Sequence, residues 1–371
     1  MRVLHINSAR AFGGGERHLA DLSSGLRERG HEVHVAHAPG SPLGEELARA
    51  LPRENLIPTR MRNSLDVTGA LAIGRAARAR DVDIIHAHAG RDYSLAALAA
   101  RLAPRATLVL TRHVMFPLNS LHTLTLRRAA RVIAVSDAVA RALRASRIFA
   151  DERIRVVRNG IDVERFARVA ADVKRAEYRR SLGVSARLLV GTVGDLSEVK
   201  GQDDFVRAAA FVAERLGDAV EFVIAGADEG RGARFAARLE ALIKELGMGG
   251  RVHLLGRRAD VAEILACLDL YVSASRSEAF GLALVEAMAS GLPVAAAATD
   301  GAREIVADGE TGALAPVGDA RSLAERIVDF LTDDERRRRA GVRAQQHARE
   351  RWSLARMVEE TEAVYREALE A

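Results

Sequence analysis

Glu278 and Glu286 stand in the stretch Glu278-Ala279-Phe280-Gly281-Leu282-Ala283-Leu284-Val285-Glu286, one acid ahead of an apolar run that reads as a helix start and one inside it. The unpaired N–H groups of a helix start can bind a phosphate. Gly281 lets backbone come close to a ligand there. Two carboxylates beside such an anion site suit a ligand that carries both phosphates and hydroxyl-rich sugars, one acid holding each sugar. The plainer reading is that Glu278 favours the helix dipole and Glu286 faces solvent, and two glutamates alone do not decide between them.

Other residues could do chemistry as well. Gly13-Gly14-Gly15 follows an apolar run and would let the chain meet a phosphate or a second substrate by backbone alone, or simply make a tight turn. It lacks the spacing of a dinucleotide fingerprint, and no G-x-x-x-x-G-K-[ST] loop occurs, which sets aside a dehydrogenase and a P-loop NTPase. His86 and His88 alternate at one strand end, so they are expected on opposite faces of the sheet, unable to share a metal and cleft-lining at most. The single cysteine, Cys267, excludes an internal disulfide framework and reads as a small core residue with no chemistry.

These residues need elements to hold them. The 371 residues exceed what one core usually serves, so two domains are expected. With 49% apolar and 28% charged residues the composition is globular, and no apolar run is long enough to span a bilayer. Chain order begins β-loop-α-β: Val3-Leu4-His5-Ile6, the glycines, a helical pattern to Gly30, then His31-Glu32-Val33-His34-Val35. Further β-branched runs start at Asp83, Thr107, Arg131 and Ile154, and a second series starts at Leu188, Val220, Arg251, Leu268 and Pro293. Strands alternating with alanine-rich helical stretches predict two doubly wound α/β domains with parallel sheets. Ligands of such sheets sit beyond the carboxyl ends of the strands.

In this setting the chain resembles the retaining glycosyltransferases of GT-B architecture, specifically glycosyltransferase family 4. The E-x7-E element quoted above carries the resemblance together with Gly13-Gly14-Gly15-Glu16, His86-Ala87-His88, Thr111-Arg112-His113, Val135-Ser136, Asn159-Gly160-Ile161-Asp162, Val193-Gly194 with Lys200-Gly201, Leu255-Gly256 and Asp308-Gly309-Glu310-Thr311-Gly312. Each motif is weak; their order over nearly the whole chain is specific.

The resemblance implies two Rossmann-like domains facing a central cleft. Residues 1–165 would form the acceptor-side domain, on which a helix at 353–371 packs back, and 166–352 the donor domain. It implies transfer of a sugar from a nucleoside diphosphate sugar to a hydroxyl of a cell-envelope glycan, lipopolysaccharide or glycolipid. Glu278 would contact donor-sugar hydroxyls, with the Phe280-Gly281-Leu282 backbone near sugar and diphosphate and Glu286 on the ribose. Lys200 would bind the diphosphate and stabilise the leaving group, and His113 would orient the sugar. Gly14, Gly15, Glu16, Gly256 and Arg257 complete the expected binding set.

The sequence departs from the family pattern at Asp195, where an arginine phosphate ligand is usual. Either Asp195 turns away and Arg276 or Arg257 replaces it, or phosphate affinity falls. Asp81-Val82-Asp83 imitates the D-x-D metal motif of another glycosyltransferase architecture, but at the entry to a strand, so no metal and no cofactor are expected.

Residues 101–147 hold nine arginines against one acid, Asp137, with Met115, Phe116, Leu118, Leu121 and Leu124 among them. This region would suit an anionic membrane surface or a phosphorylated glycan, or equally a set of solvated helix faces. Scarce aromatics and the lack of a binding motif argue against nucleic acid. Without a leader pattern ahead of Arg2, the expected location is cytoplasmic, peripheral to the inner face of the membrane. A GT-B-type nucleotide-sugar epimerase, a phosphorylase-like enzyme and a non-catalytic two-lobed binder are the alternatives.

Overall fold

The computed structural model describes residues 1–116, 126–228, 230 and 232–371. The chain divides into two compact units, Met1–Ile161 with Leu354–Ala371, and Asp162–Ser353. Leu118, Leu121 and Leu124 of the basic region lie outside the described residues. Among the described residues no helix is long and apolar enough to cross a membrane.

The first unit is built on β1 (Arg2–Asn7), β2 (Glu32–His37), β3 (Leu56–Pro58), β4 (Ile84–Ala87), β5 (Thr107–Arg112), β6 (Arg131–Ala134) and β7 (Ile154–Val156). They form one parallel sheet ordered β3-β2-β1-β4-β5-β6-β7. Val3, Leu4, Ile6, Ile84, Ile85 and Val109 are fully buried, as strands covered on both faces must be.

The helix Gly14–Glu28 presents Leu19, Leu22 and Leu26 to this core, a spacing that puts them on one face. It is capped at Gly13 and ends before Gly30, whose φ of 84° stops the turn. The helix Leu354–Leu369 packs on it so closely that Gly25 has no room for a side chain beside Val358. Arg131 and Arg155 both donate to Glu367 of the same terminal helix.

In the second unit, β8 (Leu188–Val193), β9 (Val220–Ala225), β10 (Val252–Gly256), β11 (Leu270–Ser273), β12 (Val294–Ala297) and β13 (Gly312–Ala315) form a parallel sheet ordered β10-β9-β8-β11-β12-β13. Phe205 and Phe222 meet edge to face in its core, ring centroids 6.0 Å apart. Each fully buried aromatic or aliphatic side chain of this kind contributes roughly 1.5–3 kcal/mol.

Strand order reverses between β1 and β4 in the first sheet and between β8 and β11 in the second. Neighbouring strands at such a point send their connections to opposite faces, which opens a crevice at their carboxyl ends. Two edge strands, β3 and β13, go beyond the runs read from sequence. Leu-Ile-Pro is short and closes on a residue that cannot donate to a ladder, and Gly-Ala-Leu-Ala lacks β-branched residues.

Candidate functional site

A pocket opens at the switch point of the second unit. Thr192 and Val193 line it from β8, Tyr271 and Ser273 from β11, Lys200, Ser275, Glu278 and Gly281 from the loops that follow, and Gln202 from the start of the helix Gln202–Leu216. The Lys200 ammonium lies 2.7 Å from Glu278 Oε2. Ser275 Oγ donates to the same oxygen at 3.3 Å.

Glycines set this geometry. Gly201 has φ 64°, and a Cβ there would collide with the Ala274 carbonyl oxygen. The Lys200 loop therefore closes down on the chain leaving β11. Gly301 plays the same part for the acid: it donates its N–H to Glu278 O at 3.1 Å, and a Cβ would strike the carbonyl oxygens of Phe280 and Glu278.

Gly281, at φ 116°, caps the helix Leu282–Ala289, in a conformation that a side chain would strain. Phe280 turns its ring inward onto Trp352, with centroids 5.4 Å apart, and is 3% exposed. Only its backbone is left for a ligand. Glu286 lies one turn beyond Leu282, half-buried and outside the pocket lining. Burial first, and then the charges of Glu286 and Glu278 among smaller causes, push the Tyr271 phenol above its ordinary pKa. Both acids thus act on one lining residue.

Gly256 and Arg257 do not join this group. Gly256 ends the edge strand β10, two strands from β8, and both residues are exposed. Asp195 is exposed and absent from the lining; its backbone carbonyl accepts from Gln202 Nε2 at 3.0 Å. Arg276, one of the two cations that could have replaced the usual phosphate arginine, is committed elsewhere. It pairs with Asp203 at 2.7 Å and Asp204 at 2.9 Å and donates to Glu198 O at 3.0 Å. Of these cations only Lys200 reaches the pocket.

The first unit gathers its own group. Gly15 faces His113, so that a Cβ there would lie 3.9 Å from the ring. Glu16 turns back to cap its own helix. One of its carboxylate oxygens accepts from Gly13 N and the other from Asn7 Nδ2, each at 3.0 Å. Gly14, the first residue of that helix, is exposed.

His113 stands edge-on to His18 at 4.7 Å and stacked with His88 at 5.9 Å between centroids. Burial, the field of His18 and then that of Arg112 hold its pKa well below the usual imidazole value, so the ring is neutral. The expectation that His86 and His88 face opposite sides fails, since their centroids are 4.1 Å apart. Residues two apart on an extended chain line the same face, so strand alternation itself brings the two rings together. Asp83 instead serves the amino end of the sheet, accepting from Arg2 N at 2.8 Å.

Sequence reading did not find Thr192, Gln202, Tyr271, Ser273, Ser275 or Gly301. Gln202 follows the glycine that ends the Lys200 loop, which was the one available cue.

Comparison with known proteins agrees with these two units. The family described as glycosyl transferases group 1 matches residues 174–347, and glycosyltransferase family 4 matches residues 12–165. N-acetyl-alpha-D-glucosaminyl L-malate synthase of Bacillus anthracis is 28% identical over 94% of this chain and 92% of its own. D-inositol 3-phosphate glycosyltransferase of Salinispora tropica is 31% identical over 91% of this chain and 73% of its own. Among solved structures, Anabaena HepE in complex with UDP and glucose superposes with a TM-score of 0.82 at 26% identity, covering 98% of each chain. The chain belongs to the glycosyltransferase family 4, glycosyl transferases group 1, family. It is a glycosyltransferase of GT-B architecture.

Proposed function

We propose that this glycosyltransferase moves a sugar from a nucleoside diphosphate sugar to an acceptor hydroxyl, with retention at the anomeric carbon and without a metal ion in the transfer. The observation that carries the reading is the Lys200–Glu278 pair, 2.7 Å apart at the switch-point pocket. When a donor enters, Lys200 leaves Glu278 for the diphosphate, and Glu278 accepts from the sugar hydroxyls in its place. The free N–H groups at the start of the helix Leu282–Ala289 add fixed positive potential. Together with Lys200 they stabilise charge as the nucleoside diphosphate departs. Glu286 holds the ribose, and neutral His113 orients the sugar. No carboxylate is assigned as nucleophile, so the leaving phosphate oxygen takes the proton of the incoming hydroxyl on the same face.

UDP and glucose bound to HepE favour a UDP-sugar as donor. For the acceptor, a cell-envelope glycan or lipid-linked sugar is the first reading, with residues 101–147 docking on an anionic membrane. A second reading is favoured by the two relatives whose names specify L-malate and D-inositol 3-phosphate: a small, anionic, hydroxylated acceptor.

The test is release of nucleoside diphosphate from UDP-, GDP- and ADP-sugars, with and without candidate acceptors, and the anomeric configuration of the product by NMR. Acceptor-stimulated release with one base class and a retained anomer supports the reading. Interconversion of free nucleotide sugars, or binding without turnover, would replace it with an epimerase or a binder.

A further inference from the structure

Five imidazoles, those of His5, His18, His86, His88 and His113, form one cluster in the first unit. One ring nitrogen from each of His18, His88 and His113 lies within 4.8 Å of the other two. His18 Nδ1, His88 Nδ1 and His113 Nε2 are all buried with no hydrogen-bond partner. Buried polar atoms are ordinarily paired, so an orphaned nitrogen on each of three rings of one cluster points to a missing shared ligand.

The rest of the cluster is arranged to support one. His88 Nε2 is 2.9 Å from His5 Nδ1. This contact fixes the ring and leaves Nδ1 open, as an outer partner does for a ligating histidine. The other trio, His5, His86 and His88, is less suited. Tyr365 OH at 2.7 Å and Thr111 Oγ1 at 2.6 Å already engage both nitrogens of His86.

We infer that His18, His88 and His113 bind a first-row transition ion of the zinc class through three neutral imidazoles. Such an ion takes three histidines and keeps a fourth position for water. His18 and His88 are each 3% exposed, while His113 is half-buried and gives the ion its way in. Zinc–nitrogen bonds of about 2.0–2.1 Å place tetrahedral nitrogens about 3.4 Å apart, inside the 4.8 Å limit that one nitrogen from each ring already meets. On the reading that His113 orients the donor sugar, the ion takes that ring from the substrate, and zinc inhibits transfer.

The site is tested without donor, by competing the protein against a chromophoric zinc chelator at neutral pH. Wild type should take up a single ion, and cobalt should give the visible absorption of a tetrahedral nitrogen site. His18→Gln and His88→Gln should each weaken binding by at least about tenfold, whereas His347→Gln, in the other unit, should not. Far-UV circular dichroism in chelator shows whether each variant folds; should His88→Gln not fold, His18→Gln carries the test. Absence of saturable zinc uptake, or unchanged affinity in the folded cluster variants, overturns the site. Because zinc uptake is read without substrate, it stands or falls apart from the transferase reading, which only the inhibition assay engages.

Discussion

Lys200 Nζ and Glu278 Oε2 lie 2.7 Å apart, although 78 residues separate them in the chain. The carboxyl ends of β8 and β11 bring them together where the order of the sheet reverses. Two glycines that tolerate no side chain, Gly201 and Gly301, fix the loops that carry them.

Gly301→Ala should be costly out of proportion to a methyl group, because the added carbon meets the Phe280 and Glu278 carbonyl oxygens rather than a flexible side chain. A loss of about 1–3 kcal/mol is expected, read as a lower denaturation midpoint. Nucleotide-sugar affinity should fall as well, since the displaced segment carries Glu278. A variant with wild-type stability and affinity would show that this contact does not position the acid.

Arg276→Gln should leave donor affinity unchanged, because its guanidinium is occupied by Asp203, Asp204 and the Glu198 carbonyl. Its cost in stability should be about 0–1 kcal/mol, the value of a half-exposed ion pair. That cost depends on pH. Burial first, and the neighbouring Asp203 charge second, already raise the Asp204 pKa, against which Arg276 acts. Removing the guanidinium raises it further. A raised folded-state pKa favours the native state while the acid is protonated and disfavours it as pH rises through the folded pKa. The variant's deficit in melting temperature should therefore be larger at about pH 7 than at about pH 4.

Cys267 should be inert in the native protein. It is fully buried, and burial first among the causes pushes its thiol pKa upward, so little thiolate is available to react. A thiol reagent at neutral pH should modify it only after denaturant is added. Rapid modification of the native chain would mean that this face of the second unit opens readily.

Much of the fold was legible because buried parallel strands are written as β-branched runs. Leu188–Val193 and Val220–Ala225 carry that signal over six residues each. The edge strands Leu56–Pro58 and Gly312–Ala315 carry little of it and are held by ladder bonds to one neighbour only. At the site, the Glu278 to Glu286 stretch and Lys200 stood out by residue type and order. Gly301, Gln202, Thr192 and Tyr271 did not, because what places them in the lining is the meeting of distant segments. The expected separation of His86 and His88 fails on parity: residues two apart on a strand share a face, so their closeness was legible in the spacing itself. Arg276 shows a second limit, since sequence reveals a charge but not the acids that already occupy it.

The central claim is that Lys200 receives the diphosphate of a nucleotide sugar, and calorimetric titration of UDP, GDP and ADP into wild type and Lys200→Ala tests it most directly. One nucleotide should bind wild type, and the variant should lose about tenfold to a hundredfold in affinity, the worth of a charge-assisted hydrogen bond to phosphate. Equal affinity in the folded variant, or no binding of any of the three to wild type, would contradict the account.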